Sequence, residues 1–221
     1  MVRIRLADLA EGKPMSYKVS VIIPAYNEGN RISHVLNKLI RQNYEVIVID
    51  DDSKDNTVEV SEQIGAIVIR QNKLGYINAI KNGFKHATGD IVVTMDADGE
   101  HDPDDIPGII KPILEDEADI VLGRRNYIPR LSERFINLIT AFRIPLHDTG
   151  TGFRSIKRDI ALKLIIPGKC ICGTSVLEYY LLGARVVEVP ISIKFINKPR
   201  KIAWEHFIQW FYVIKLLLKQ I

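Results

Sequence analysis

Five short apolar runs punctuate the first half of the chain, at Lys18 to Ile23, Val46 to Ile49, Ala66 to Ile69, Ile91 to Met95 and Ile120 to Leu122. Helix-length amphipathic stretches separate them, at Arg31 to Arg41, Asn56 to Ile64, Tyr76 to Ala87 and Pro103 to Glu117. That alternation predicts an α/β fold with a mostly parallel central sheet and helices on both faces. Asp55 or Asn56 is placed to cap the second helix. From about Arg124 the alternation loosens and basic residues mix with apolar ones, until a strand over Ala184 to Ile193 and a helix over Ala203 to Ile221 close the chain. In that last helix Trp204, Phe207, Ile208, Phe211, Ile214, Leu218 and Ile221 recur at three- and four-residue spacing, with Glu205, His206, Gln209 and Lys215 between them. With Lys198, Arg200 and Lys201 just ahead of it, the helix fits a membrane interface, although a dimer contact or core packing explains the same pattern. The expected division is an N-terminal extension over 1–16, one domain over 17–196 and a basic amphipathic C-terminal helix over 197–221.

Composition adds bounds. The 221 residues are 47% hydrophobic, enough to bury one full core, and the net charge of +3 comes from Lys and Arg interleaved with acids, so no nucleic-acid footprint is expected. Cys170 and Cys172 are too few for a four-ligand zinc site and poorly spaced for a disulfide framework, so they read as inert thiols in a reducing compartment. No leader opens the chain and no apolar run approaches the ~20 residues of a membrane span, which predicts a cytoplasmic protein.

Open parallel sheets bind ligands beyond the carboxyl ends of their strands, and three such ends here are polar: Pro24 to Glu28, Asp50 to Asp52 and Asp96 to Asp98. If extension continues past Gly99, then Asp96, Asp98 and Glu100 share one face, and an oxygen-only set of that kind suits Mg²⁺ or Mn²⁺. A polar turn is the plainer alternative for any one of these segments. Asp50 and Asp51 are placed to accept hydrogen bonds from a nucleobase or ribose. Neither a Gly-x-Gly-x-x-Gly turn nor a P-loop is present, so any phosphate must be met by metal and cations.

Four segments carry a resemblance: VSVIIPAYNE at Val19 to Glu28, IDDDSKDNT at Ile49 to Thr57, GDIVVTMDAD at Gly89 to Asp98, and DTGTGFR at Asp148 to Arg154. In this order they resemble the family 2 glycosyltransferases of the GT-A fold, most closely the dolichol-phosphate mannose synthase group, over roughly residues 18–195. The resemblance implies that Pro24, Ala25, Asn27, Glu28, Asp50, Asp51, Asn72, Gly75 and Ala97 surround a nucleotide sugar. It also implies that Asp96 and Asp98 hold Mg²⁺ or Mn²⁺ on the donor diphosphate, with Glu100 as third ligand where the group often has Gln. The reaction implied is inverting transfer of a hexose, from a GDP-mannose or UDP-glucose type donor, to a polyprenyl or dolichyl phosphate at the cytosolic face of a membrane. A separate membrane subunit is an implied partner.

A lipid phosphate is already anionic and needs cations rather than a base. Arg124, Arg125, Arg130, Arg134 and Arg154 are the candidates, with Arg200 and Lys201 near the last helix. The residues expected at the chemistry are Asp98, Arg124 and Asp148, the last either a base for a hydroxyl acceptor or a carboxylate that orients Arg154. A glycosyltransferase acting on a glycan hydroxyl, and a non-catalytic nucleotide-sugar-binding module, are the alternatives. His101 reads as a loop residue outside the site, and Glu178 as a helical residue, either a buried carboxylate facing the crevice or, more plainly, on a solvated face. Deleting residues 203–221 is expected to release the protein from anionic vesicles and leave nucleotide binding intact.

Overall fold

The computed structural model describes residues 3–5, 16–128, 130–168, 170–194 and 203–218. Strand β1 (Arg3–Arg5) pairs antiparallel with the start of β2 (Ser16–Ala25), so part of the N-terminal extension adds to the sheet. There follow α1 (Gly29–Arg41), β3 (Glu45–Asp50), α2 (Thr57–Ile64), β4 (Ile67–Arg70), α3 (Tyr76–His86), β5 (Ile91–Thr94), α4 (Ile106–Leu114) and β6 (Ile120–Arg124). The second half holds α5 (Leu131–Ala141), β7 (Arg154–Lys157), α6 (Arg158–Ala161), α7 (Thr174–Leu181), β8 (Val186–Pro190) and α8 (Ala203–Leu218). The sheet order is β4-β3-β2-β5-β7-β6-β8, with β7 antiparallel to both of its neighbours and the other pairings parallel.

Period-two alternation sorts the apolar side chains onto two faces. Val21, Ile23, Val46, Val48 and Val93 enter one core with Ile32 and Leu36 of α1 and Ile109 and Ile113 of α4. Their neighbours Ile22, Ile47, Ile49 and Val92 enter a second core with Ile80 and Phe84 of α3, Val176 of α7 and Val213 of α8. Helices therefore cover both faces, as the alternation predicts.

Strand β7 is the element the pattern does not reveal. Its sequence, RSIK, lacks an apolar run, yet Arg154 is 2% exposed. Its guanidinium is satisfied by the carbonyls of Thr149 and Thr151, each at 2.8 Å, by Ser175 Oγ, and by the Tyr179 hydroxyl at 3.3 Å. Hydrogen bonding to these four partners is what allows the cation into the core. Glu178 corrects another expectation: it is buried, and its carboxylate accepts from the backbone N–H of Ile165 at 2.6 Å and Ile166 at 2.8 Å, which ties down a loop. The last helix is part of the fold as well, since His206, Gln209 and Val213 of α8 are buried. Its removal would open the second core, so deleting 203–221 is not a clean test of membrane contact.

Candidate active site

The parallel register sets Ala25 beside Asp50 and Ile22 beside Thr94, so the polar ends of β2, β3 and β5 meet at one edge of the sheet. A cavity of about 660 Å³ opens there, and its lining includes Pro24, Ala25, Asn27, Glu28, Asp51, Asp96, Ala97, Asp98 and Glu100. Asp51 is held by the Gly75 N–H at 3.0 Å and by Gln71 Nε2 at 2.7 Å. Gly75 makes that bond with φ of 85°, a backbone angle that favours glycine. Asp50 is buried beside the cavity and accepts from Ser53 N at 3.2 Å. Asn72 is exposed and lies outside the lining.

All three acidic residues reach the cavity wall, by a route other than the expected one. Strand β5 ends at Thr94, a turn occupies Ala97 and Asp98, and Gly99 has φ of 80°, so a turn rather than continued extension brings Glu100 to the cavity. Asp98 closes the turn by accepting from Glu100 N at 3.1 Å. The donor set is carboxylate oxygen throughout and Asp96 is partly exposed, so its chemistry suits a hard divalent cation, although its oxygens are not gathered to ligand spacing as the Cys170, Cys172 and His206 atoms are. Tyr76 adds its hydroxyl 3.4 Å from Asp96 Oδ1, and burial, with the Asp96 charge behind it, pushes that phenol well above its usual pKa. Tyr76 therefore stands as a neutral donor.

His101 belongs to this wall and is not a plain loop residue. It is 3% exposed, stacks on Phe153 with ring centroids 5.2 Å apart, and sets Nδ1 3.9 Å from Asp96 Oδ2. The only sequence signal for it is its position after Glu100.

The basic side of the cavity is narrower than the arginine count predicts. Arg125 and Arg130 line it, whereas Arg124, Arg134 and Arg154 do not, and Arg200 lies outside the described residues. Arg154 is spent within the fold, Arg134 is exposed on α5, and Arg124 is half-buried at the end of β6. Arg125 donates Nε to Asp148 Oδ2 at 2.7 Å, Nη2 to Asp148 Oδ1 at 2.8 Å and Nη2 to Glu133 Oε2 at 2.9 Å. Arg130 reaches Glu133 Oε1 at 2.5 Å. Burial opposes the charge of Arg125, but Asp148 and Glu133 outweigh it and hold the guanidinium more firmly protonated than usual. Asp148 is fully buried and engaged on both oxygens by Arg125, so it orients Arg125 and not Arg154.

On a further stretch of wall sit Cys170, Cys172 and His206. Both cysteines are free thiols, and a hydrogen bond with Cys170 together with burial pushes the Cys172 thiol well above its usual pKa. Neither cysteine signalled a site in the sequence, because His206 arrives from a separate helix.

A family model described as Glycosyl transferase family 2 matches residues 20–177. A dolichol-phosphate mannosyltransferase of Pyrococcus furiosus is 41% identical over 117 residues, covering 49% of this chain and 33% of that protein. A UDP-N-acetylglucosamine–dolichyl-phosphate N-acetylglucosaminyltransferase of Methanococcus voltae is 38% identical over 135 residues, covering 51% of this chain and 53% of that protein. The matched region thus spans a third and about half of the lengths of these two relatives. Among solved structures, glucosyl-3-phosphoglycerate synthase from Mycobacterium tuberculosis, in complex with Mn²⁺, UDP-glucose and phosphoglyceric acid, superposes with a TM-score of 0.78 at 21% identity, covering 90% of this chain and 79% of that one. That likeness is one of fold, the GT-A fold.

Proposed function

Because the chain belongs to glycosyl transferase family 2, we propose that it moves a hexose from a nucleotide sugar to a polyprenyl or dolichyl phosphate, with inversion at the anomeric carbon. The observation that carries this reading is the polarity of the cavity, which sets Asp96, Asp98 and Glu100 and the cations Arg125 and Arg130 around one space. The carboxylates would hold Mg²⁺ or Mn²⁺, which neutralises charge on the departing nucleoside diphosphate. Asp51 and Glu28 receive the nucleoside, and Gly75 and Gln71 keep Asp51 in place. Arg125, fixed by Asp148, and Arg130 position the acceptor phosphate. A phosphate oxygen attacks the anomeric carbon from the face opposite the leaving group, the bond to the donor diphosphate breaks, and the electron pair leaves with the diphosphate. No proton has to be removed from the acceptor. A hydroxyl acceptor with Asp148 as base loses support, because both Asp148 oxygens are committed to Arg125.

A lipid acceptor also suits the helices that wall the cavity. Arg130 and Glu133 at the start of α5, and His206 on α8, line the cavity. From there Leu131, Phe135, Leu138 and Phe142 of the α5 segment, and Phe207, Phe211, Ile214 and Leu218 of α8, run as exposed apolar stripes at helical spacing. Trp210 bridges the two stripes, with its ring centroid 4.9 Å from that of Phe135 and 5.7 Å from that of Phe207. No helix among the described residues is long and apolar enough to cross a membrane. We therefore assign contact with a cytosolic membrane face to the α5–α8 surface, alone or with a membrane subunit.

The test is label transfer from GDP-mannose, UDP-glucose and UDP-N-acetylglucosamine to a polyprenyl phosphate, with Mg²⁺ or Mn²⁺, against chelator and Asp98→Ala. Metal-dependent transfer from one donor, reduced by roughly a hundredfold or more in Asp98→Ala, is expected. Nucleotide-sugar binding without transfer to any lipid phosphate would favour a non-catalytic module or a different acceptor.

A further inference from the structure

Cys170, Cys172 and His206 each offer one ligand atom, and these atoms lie within 4.8 Å of one another. We propose that they form a binding site for a soft divalent cation of the zinc class, separate from the carboxylate set. In a tetrahedral zinc site with Zn–S near 2.3 Å and Zn–N near 2.0–2.1 Å, adjacent sulfur and nitrogen ligands stand about 3.6 Å apart. Cys172 Sγ and His206 Nε2 stand 3.8 Å apart, so this pair is already near ligand spacing, with the Cys170 ligand atom within 4.8 Å of both. Two thiolates and an imidazole select zinc-class metals over Mg²⁺ and Mn²⁺, the reverse of the preference of Asp96 and Asp98.

The surroundings are built as a ligand site requires. Ser132 Oγ lies 2.7 Å from His206 Nδ1, and in the tautomer that donates its Nδ1 proton to Ser132 the Nε2 lone pair faces Cys172. Outer hydrogen bonds of this kind fix the tautomer and orientation of metal-binding histidines. Gln209, one turn along α8, holds the cysteine loop with its Nε2, whose two N–H groups are shared among the carbonyls of Cys170 at 2.7 Å and Cys172 at 3.1 Å and Thr174 Oγ1 at 2.7 Å. His206 is 1% and Cys172 6% exposed, whereas Cys170 is half-buried. All three line the main cavity, so a metal held by them keeps its fourth position open to water or an anionic oxygen there. Such a metal would fasten α8 to the loop before α7 and displace the thiol protons on binding.

The experiment titrates the reduced, metal-stripped full chain with Co²⁺ under inert atmosphere, with excess Mg²⁺ to occupy oxygen sites. One equivalent of Co²⁺ should produce thiolate-to-cobalt charge-transfer absorption, displaced by one equivalent of Zn²⁺. Cys172→Ser and His206→Asn should each lose the absorption and weaken Co²⁺ binding by a hundredfold or more, while Asp98→Ala leaves both unchanged. Zn²⁺ at a hundredfold excess over Kd should raise the Tm of the wild type by on the order of 5–10 °C, and not that of Cys172→Ser. Absence of the charge-transfer band in the wild type overturns the proposal whatever the variants do. A band that survives His206→Asn at full strength, or is lost in Asp98→Ala, overturns it equally. Because Asp98→Ala separates the two cation sites, a protein that binds Co²⁺ through thiolates but transfers no sugar would retain this site and lose the proposed reaction.

Discussion

Replacing Asp148 separates a structural carboxylate from a chemical one. Asp148 accepts from Arg125 at Nε (2.7 Å), Nη2 (2.8 Å) and the backbone N–H (3.1 Å), and from Gly150 N at 3.3 Å, with no exposure to solvent. The charges alternate along Asp148, Arg125, Glu133 and Arg130, so the network is neutral as a whole. Asp148→Ala leaves one uncompensated positive charge and a void. Breaking a buried pair on one side costs about 3–5 kcal/mol, and hydrogen bonds to charged groups contribute about 1.5–3 kcal/mol each without adding fully. Arg125 keeps Glu133 and borders the cavity, where water can reach it, which selects the lower end, about 3 kcal/mol. At this chain length each kcal/mol shifts Tm by about 2–4 °C, so a drop of about 6–12 °C is expected by calorimetry. Asp148→Asn should fall between wild type and Asp148→Ala, since it keeps the shape and one acceptor. Sugar transfer should decline in both through a weaker hold on the acceptor, seen as a raised acceptor KM. An Asp148→Asn protein that melts within 2 °C of wild type (about 1 kcal/mol or less) but transfers no sugar at saturating acceptor would refute this reasoning and restore Asp148 as a base.

A Cβ added at Gly152 would stand 2.9 Å from both carboxylate oxygens of Asp96. Gly152→Ala should therefore displace Asp96 and weaken Mn²⁺ binding by roughly tenfold or more, about 1.4 kcal/mol, as read by calorimetric titration. Burial pushes the Glu45 carboxyl up, but hydrogen bonds from Lys18, Ser20 and Thr88 outweigh it and hold it at about 2. With the folded value depressed, Glu45 contributes stability that is complete above its unfolded pKa near 4.5 and is lost as pH falls toward 2. Glu45→Gln should flatten the dependence of Tm on pH in that window, and an unchanged slope would show that Glu45 is not the group responsible. Phe142→Glu and Phe211→Glu alter residues 84% and 63% exposed, so both should fold as wild type does. Each should weaken flotation with anionic vesicles by tenfold or more, and undiminished flotation of the double variant would place membrane contact elsewhere.

The order of strands and helices as far as β6 was legible in the sequence because each element buries its own side chains, and burial imposes a local period. Val21 and Ile22 enter opposite cores for no reason beyond the alternation of a strand. The strand-end carboxylates were legible on the same terms, since a parallel sheet brings the ends of neighbouring strands together whatever the loops do. Past Arg124 that logic fails. Strand β7 is recognisable only by what surrounds Arg154: carbonyls and hydroxyls that satisfy a buried guanidinium. Among five arginines of one chemical type, the tertiary structure brings Arg125 and Arg130 to the cavity and spends Arg154 in the core. The cysteine pair became a candidate site only when α8 brought His206 to within 3.8 Å of Cys172. The sequence by itself determined the parallel strands as far as β6, the two faces they bury and the acidic edge, because those follow from periodicity along the chain. Which cations, thiols and imidazole face that edge was decided by the tertiary structure, because contacts between distant segments obey packing and hydrogen-bond satisfaction, which leave no period to read.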